Sequence, residues 1–79
     1  MTPAGWVIPF VKASACGNDF LIVDGGFASA DIADLSQRMC DRHYGVGADG
    51  VEWLFPSQDA DIRARLLNAD GSEAEILYR

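Results

Sequence analysis

The sequence predicts an α+β fold of mixed or antiparallel strands with a single helix, and three patterns carry that reading. Ile32, Leu35 and Met39 recur at helical spacing with Cys40 beside them, while Asp34, Gln37, Arg38 and Asp41 fall on other faces. Ile62, Ala64 and Leu66 alternate with Arg63 and Arg65, the period of a half-buried strand. Phe20-Leu21-Ile22-Val23 is a continuous β-favouring run, as expected of a strand buried on both faces.

Residues 8–13 open the chain's regular structure as a short strand with Ile8 and Phe10 apolar and Lys12 polar. Pro9 has no N–H to donate, so it must avoid a ladder position, which favours an edge. A Cys16-Gly17-Asn18-Asp19 turn leads into the strand at 20–23, which Asp24-Gly25-Gly26 ends. The helix starts from Ser29 or Asp31 and runs over about 31–43. Asp31 caps its first turn, Arg42 and His43 complement the dipole at its end, and Gly45 stops it. Val51 to Phe55 reads as a third strand closed by Pro56-Ser57-Gln58-Asp59, and residues 61–67 as a fourth. After the Asn68-Ala69-Asp70-Gly71-Ser72 turn, Ile76-Leu77-Tyr78-Arg79 begins an apolar element that stops after four residues. The two readings of that end are a chain cut inside an element and a short closing strand.

With 79 residues, one domain is the ceiling. The 12 acidic side chains outnumber 6 Lys and Arg, for a net charge of −6. No basic stripe is available to neutralise phosphates, which argues against nucleic acid and against anionic membrane surfaces as partners. The longest apolar runs, at 6–10 and 20–23, fall far below the roughly 20 residues of a spanning helix. Met1-Thr2-Pro3-Ala4-Gly5-Trp6 has neither a basic nor a long apolar leader region, so the cytoplasm is the expected location. Cys16 and Cys40 are too few for a disulfide framework and are expected to be reduced and buried.

Four motifs invite a function. Gly45-Val46-Gly47-Ala48-Asp49-Gly50 spells a dinucleotide fingerprint, but a helix precedes it and a strand follows, the reverse of the order needed to point a helix N-terminus at a pyrophosphate. Asn68-Ala69-Asp70-Gly71 resembles part of a calcium loop, yet Leu66 and Leu77 would fill the first and last ligand positions. Ser72 and Glu75 fit a capping box that would start a helix, although a tight Asp-Gly turn suits the segment better. Cys16 precedes a strand, so no helix dipole lowers its thiol, and His43 lacks a nucleophile at any telling spacing. Asn18 and Asn68 stand apart. Each carries a neutral amide beside a strand end, able to donate to a carboxylate and accept from an ammonium, the two needs of an amino-acid group.

At this point three segments in fixed order, Gly17-Asn18-Asp19-Phe20, Asp41-Arg42-His43-Tyr44-Gly45-Val46-Gly47-Ala48-Asp49 and Asn68-Ala69-Asp70-Gly71-Ser72-Glu73, resemble the N-terminal motifs of diaminopimelate epimerase. The resemblance spans about residues 8–75 and implies that residues 1–79 are part of that family's first domain, without its central helix. It implies an isomerase of lysine and peptidoglycan synthesis that inverts one α-carbon of diaminopimelate with two cysteines and no pyridoxal phosphate or metal. Removing so weak an acid's proton without a cofactor requires strong stabilisation of the developing charge, which paired helix N-termini supply.

Carried over by position, the resemblance makes Asn18 and Asn68 substrate-binding residues that orient the amino and carboxylate groups. Gly50 stands where the family often has glutamine. Leu77 stands where a Cys-Gly-Asn-Gly segment opens in the family, and neither Cys16 nor Cys40 replaces that cysteine, so no residue here is expected to be catalytic. The expectation is therefore an inactive fragment with diaminopimelate as its small-molecule ligand. Phe20, Ile22, Trp53, Leu54, Ile62 and Leu66 would then leave apolar surface on an unfilled face, through which the chain would self-associate. Another two-base racemase of the same fold and a non-enzymatic acidic binding module are the alternatives.

Overall fold

The computed structural model describes residues 7–28, 31–58 and 60–79, so the readings that touched Trp6, Ser29 and Asp59 fall outside the described residues. The elements are β1 (Val11–Ala15), β2 (Asn18–Asp24), a 3-10 turn (Gly25–Phe27), α1 (Ile32–Cys40), β3 (Gly50–Pro56), β4 (Ile62–Asn68) and β5 (Glu73–Tyr78). The strands form one sheet in the order β1-β2-β3-β4-β5. Every neighbouring pair is antiparallel except β2 and β3. Parallel neighbours cannot be joined by a tight turn, and α1 is the crossover between them. The α+β expectation of a mixed sheet with one helix holds.

Among the described residues, α1 packs against one face of the sheet. Leu21 and Val23 of β2, Val51 and Trp53 of β3 and Leu67 of β4 pack with Ile32 and Cys40 of α1 and with Ala48 into the buried core. Trp53 and Ser36 are both fully buried, and the indole Nε1 donates to the Ser36 hydroxyl at 2.8 Å. The helix therefore carries a polar residue in its buried stripe because the indole requires an acceptor there.

The opposite face carries Phe20 and Ile22 of β2, Leu54 of β3 and Ile62, Ala64 and Leu66 of β4, by strand alternation and register. Five of the six residues expected on an unfilled face lie here. Trp53 does not: the register places it with Val23, beneath the helix. For the same reason β2 is buried on one face only, since Phe20 and Ile22 remain half-buried. In β4 the alternation is as expected and Ala64 on the expected side is fully buried, but α1 covers the other side. Leu67, opposite Val51, enters the core, while Ile62 is 38% exposed. Arg63 and Arg65 share the covered side beyond the reach of α1 and are answered by Glu75 and Glu73 of β5. Arg63 also lies over the Phe55 ring at 5.3 Å.

Other boundaries move for identifiable reasons. Pro9 precedes the ladder altogether, and β1 begins at Val11 on the sheet edge. The first turn needs only Cys16 and Gly17, at φ 54° and 83°, the positive values of a two-residue type I′ hairpin. Cys16 is consequently exposed rather than buried, while Cys40 is buried as expected. Asp31 caps α1 through the Asp34 N–H at 3.2 Å. The helix ends at Cys40, short of His43, because Asp41 turns extended (φ −60°, ψ 125°) and its carboxylate accepts the N–H groups of His43 and Tyr44. The last carbonyls are met by the glycine loop instead: Val46 and Gly47 donate to Met39 and Ala48 donates to Cys40. His43 thus lies outside the helix terminus it was expected to stabilise. Residues after the Asp-Gly turn form β5, not a helix, and Ser72 is held by the Asp70 carboxylate at 2.8 Å from its N–H.

Candidate functional site

The parallel pairing of β2 and β3 decides where the two asparagines lie. Phe20 is opposite Gly50, and Gly50 is opposite Asn68, so these three residues form one row across the sheet. Asn18 lies two residues before Phe20 on the same strand. Both asparagines therefore sit at one end of the sheet, and by alternation on its open face. A Cβ on Gly50 would stand 3.2 Å from the Phe20 ring and 3.3 Å from Leu66, so the missing side chain keeps this row tight. Asn68 is shaped by its own turn: its Nδ2 donates to the Ser72 hydroxyl at 2.9 Å and its N–H to the Ser72 carbonyl at 2.8 Å. Asn18 lines an open cleft with Ser14, Gly17, Asp19, Arg42 and Asp49.

Beneath this end runs a charged network that reading along the chain did not reveal. Arg42 reaches Asp19 with both terminal nitrogens, at 2.9 and 3.4 Å, and Asp49 at 3.3 Å. Lys12 adds a second cation 3.3 Å from Asp19 and donates to the Gly47 carbonyl at 2.7 Å. Asp19 and Asp49 also clasp each other through the backbone. The Asp19 N–H donates to the Asp49 carboxylate and the Asp49 N–H to the Asp19 carbonyl, each at 2.9 Å. The Asp49 carbonyl in turn accepts the Ala69 N–H at 2.9 Å. The Arg42 guanidinium, with Lys12 and Asp49 assisting, holds the Asp19 carboxyl far below the usual carboxylate range despite partial desolvation. The same contact raises Arg42.

The sulfur chemistry is equally clear. Burial pushes the Cys40 thiol up, with Asp49 and Asp19 adding to the effect and Arg42 opposing it. A buried neutral thiol suits packing and not proton transfer. Cys16 sits at a hairpin tip between two strands, away from any helix terminus. His43 is exposed and its ring lies beside Tyr44, at 6.4 Å between centroids. Among the described residues no group of His, Cys, Asp and Glu could hold a metal, and no helix is long and apolar enough to cross a membrane.

Asn18 and Asn68 could be singled out from sequence because each is an amide beside a strand end. Asp19, Arg42 and Asp49 were missed because they are far apart in sequence and show no shared periodicity. The only signal was their presence in two of the three recognisable segments.

The fold and this end of the sheet define part of an α+β domain that brings two amides to one end of a sheet face, beside a partly exposed Asp19–Arg42–Asp49 network. The chain belongs to the diaminopimelate epimerase family, whose sequence profile matches residues 10–76. It is 44% identical over 71 residues to the diaminopimelate epimerase of Carboxydothermus hydrogenoformans, covering 85% of this chain and 26% of that protein. It is 49% identical over 71 residues to the diaminopimelate epimerase of Heliobacterium modesticaldum, covering 85% and 25%. Its identity to the enzyme of Desulforudis audaxviator is 51% over 69 residues, again covering 85% and 25%. The chain thus spans about a quarter of the length of these relatives.

Proposed function

We propose that this chain is the substrate-orienting part of a diaminopimelate epimerase, an amino-acid isomerase, and does not catalyse by itself. Asn18 and Asn68 would hold the amino and carboxylate groups at the reacting end of diaminopimelate. The observation that carries the reading is the Phe20–Gly50–Asn68 row, which brings two distant amides to one end of an open sheet face. In this reading neither thiol exchanges the proton: burial of Cys40, which raises its thiol, and the hairpin-tip position of Cys16 support it. Pyridoxal phosphate and metal have no part in this reading, which rests on the family resemblance, and the expected site is cytoplasmic.

In a titration of the 79-residue chain with diaminopimelate, the side-chain amide NMR signals of Asn18 and Asn68 should shift, and no deuterium should enter the ligand from heavy water. Unmoved amide signals refute the binding role; deuterium incorporation refutes the inactivity. The open face also supports self-association with a second copy. Phe20, Ile22, Leu54, Ile62 and Leu66 leave partly exposed apolar surface on that face, the kind of patch that a second copy would cover. Sedimentation should show mass rising with concentration, and a strict monomer would remove this part of the reading.

A further inference from the structure

We propose that Asp49 is a positioning residue that sets the spacing between Asn18 and Asn68. The inference rests on the substrate-orienting role given to those two asparagines above. The residue next to each asparagine is tied to Asp49. On one side the Asp49 carboxylate accepts the N–H of Asp19, which follows Asn18, at 2.9 Å. On the other the Asp49 carbonyl accepts the N–H of Ala69, which follows Asn68, at 2.9 Å. One residue therefore bonds to β2 through both its carboxylate and its N–H, and to the β4–β5 turn through its carbonyl.

The rest of the network keeps that side chain in place. Arg42 binds the other Asp49 oxygen at 3.3 Å while gripping Asp19, so the carboxylate is held at both oxygens. Gly50 follows directly in the chain and lies in the row between Phe20 and Asn68, so a shift of Asp49 is carried into the floor between the two amides. A ligand that must meet both amides at once depends on their separation to a fraction of an ångström.

The test is the affinity of the full 79-residue chain for meso-diaminopimelate, read from NMR titrations of single and double variants. Asp49→Ala removes the side-chain tie to β2, leaving residue 49 bonded to that strand only through its N–H, which donates to the Asp19 carbonyl, and it keeps the backbone tie to Ala69. It should weaken binding about tenfold. In that background Asn18→Ala should add less than twofold, whereas Asn68→Ala should retain most of its effect. Asp49→Asn keeps a carbonyl oxygen for the Asp19 N–H and should restore affinity to within about threefold, which also covers the case in which Asp49→Ala fails to fold. Undiminished binding by Asp49→Ala, or an Asn18→Ala effect of the same size with and without Asp49, overturns the proposal. If Asn18→Ala and Asn68→Ala are both silent in the unmodified chain, the substrate-orienting reading fails instead, and the two failures are told apart.

Discussion

Replacing Ser36 with alanine tests the buried side of the fold at its most specific contact. Both partners are fully buried, and the 2.8 Å bond from the Trp53 indole ends on the Ser36 hydroxyl. Ser36→Ala removes the acceptor and leaves the N–H enclosed by Leu21, Val23 and the apolar face of α1. An orphaned buried donor costs about 1–3 kcal/mol, and complete exclusion from water here places the expected loss near 2 kcal/mol. For a domain of this size each kcal/mol corresponds to roughly 4–8 °C, so the melting temperature should fall by about 8–16 °C. Urea unfolding followed by far-UV circular dichroism measures the loss directly. Trp53→Phe removes the donor, and in that background Ser36→Ala should be worth less than about 0.5 kcal/mol, because no unpaired group remains. Equal losses in the two backgrounds would show that Ser36 acts by packing alone, and the account of the helix's buried polar position would be wrong.

Three further expectations concern the charged network, the glycine loop and the two thiols. Asp19, Asp41, Asp70 and Glu73 all have folded pKa values below their ordinary ones, held there chiefly by Arg42, by the N–H groups of Tyr44 and His43, by Ser72 and by Arg65 respectively. The unfolded chain then binds more protons in acid, so their stabilisation is complete above about pH 5 and drains away as pH falls through the folded values. Asp19→Asn should flatten the acid limb of the urea midpoint against pH, and an unchanged limb would refute the network's role. Gly45→Ala should cost about 2–3 kcal/mol, since a Cβ there would collide with the backbone carbonyl of Arg38; a neutral result in urea unfolding would contradict the close approach of the glycine loop to α1. Cys16 should react at once with a water-soluble thiol reagent and Cys40 only as fast as the chain opens, and equal rates would contradict the burial assigned to Cys40.

Local patterns foretold the elements well and their partners less well. The hydrophobic spacing at Ile32, Leu35 and Met39 located α1, and the alternation through Arg63 and Arg65 located β4, because each signal is complete within a few residues. Which side of β4 is covered was not local. It depends on where α1 lands, and that depends on the parallel pairing of β2 with β3, so Leu67 and not Leu66 entered the core. The C-terminus of α1 was placed too late because Asp41, apparently another helical surface residue, spends its carboxylate on the N–H groups beyond the helix. At that end of the sheet the two amides were visible as residue types. The Asp19–Arg42–Asp49 network was not, since three charges scattered along a chain become a unit only when the sheet closes.

The single parallel junction also dictates an order of assembly. Every other strand pair joins consecutive strands across a short turn, as Ala15 meets Asn18 and Leu67 meets Glu73, and such pairs zip locally. Bringing Asp24 beside Leu54 instead requires closing the long excursion that contains α1, at a greater entropic cost. The molecule should therefore form as a two-strand lobe and a three-strand lobe that meet last along the β2–β3 seam. Amide protons on that seam should report the rate-limiting closure in hydrogen exchange, and a linker mutation that loosens α1 should slow folding while leaving both lobes able to form.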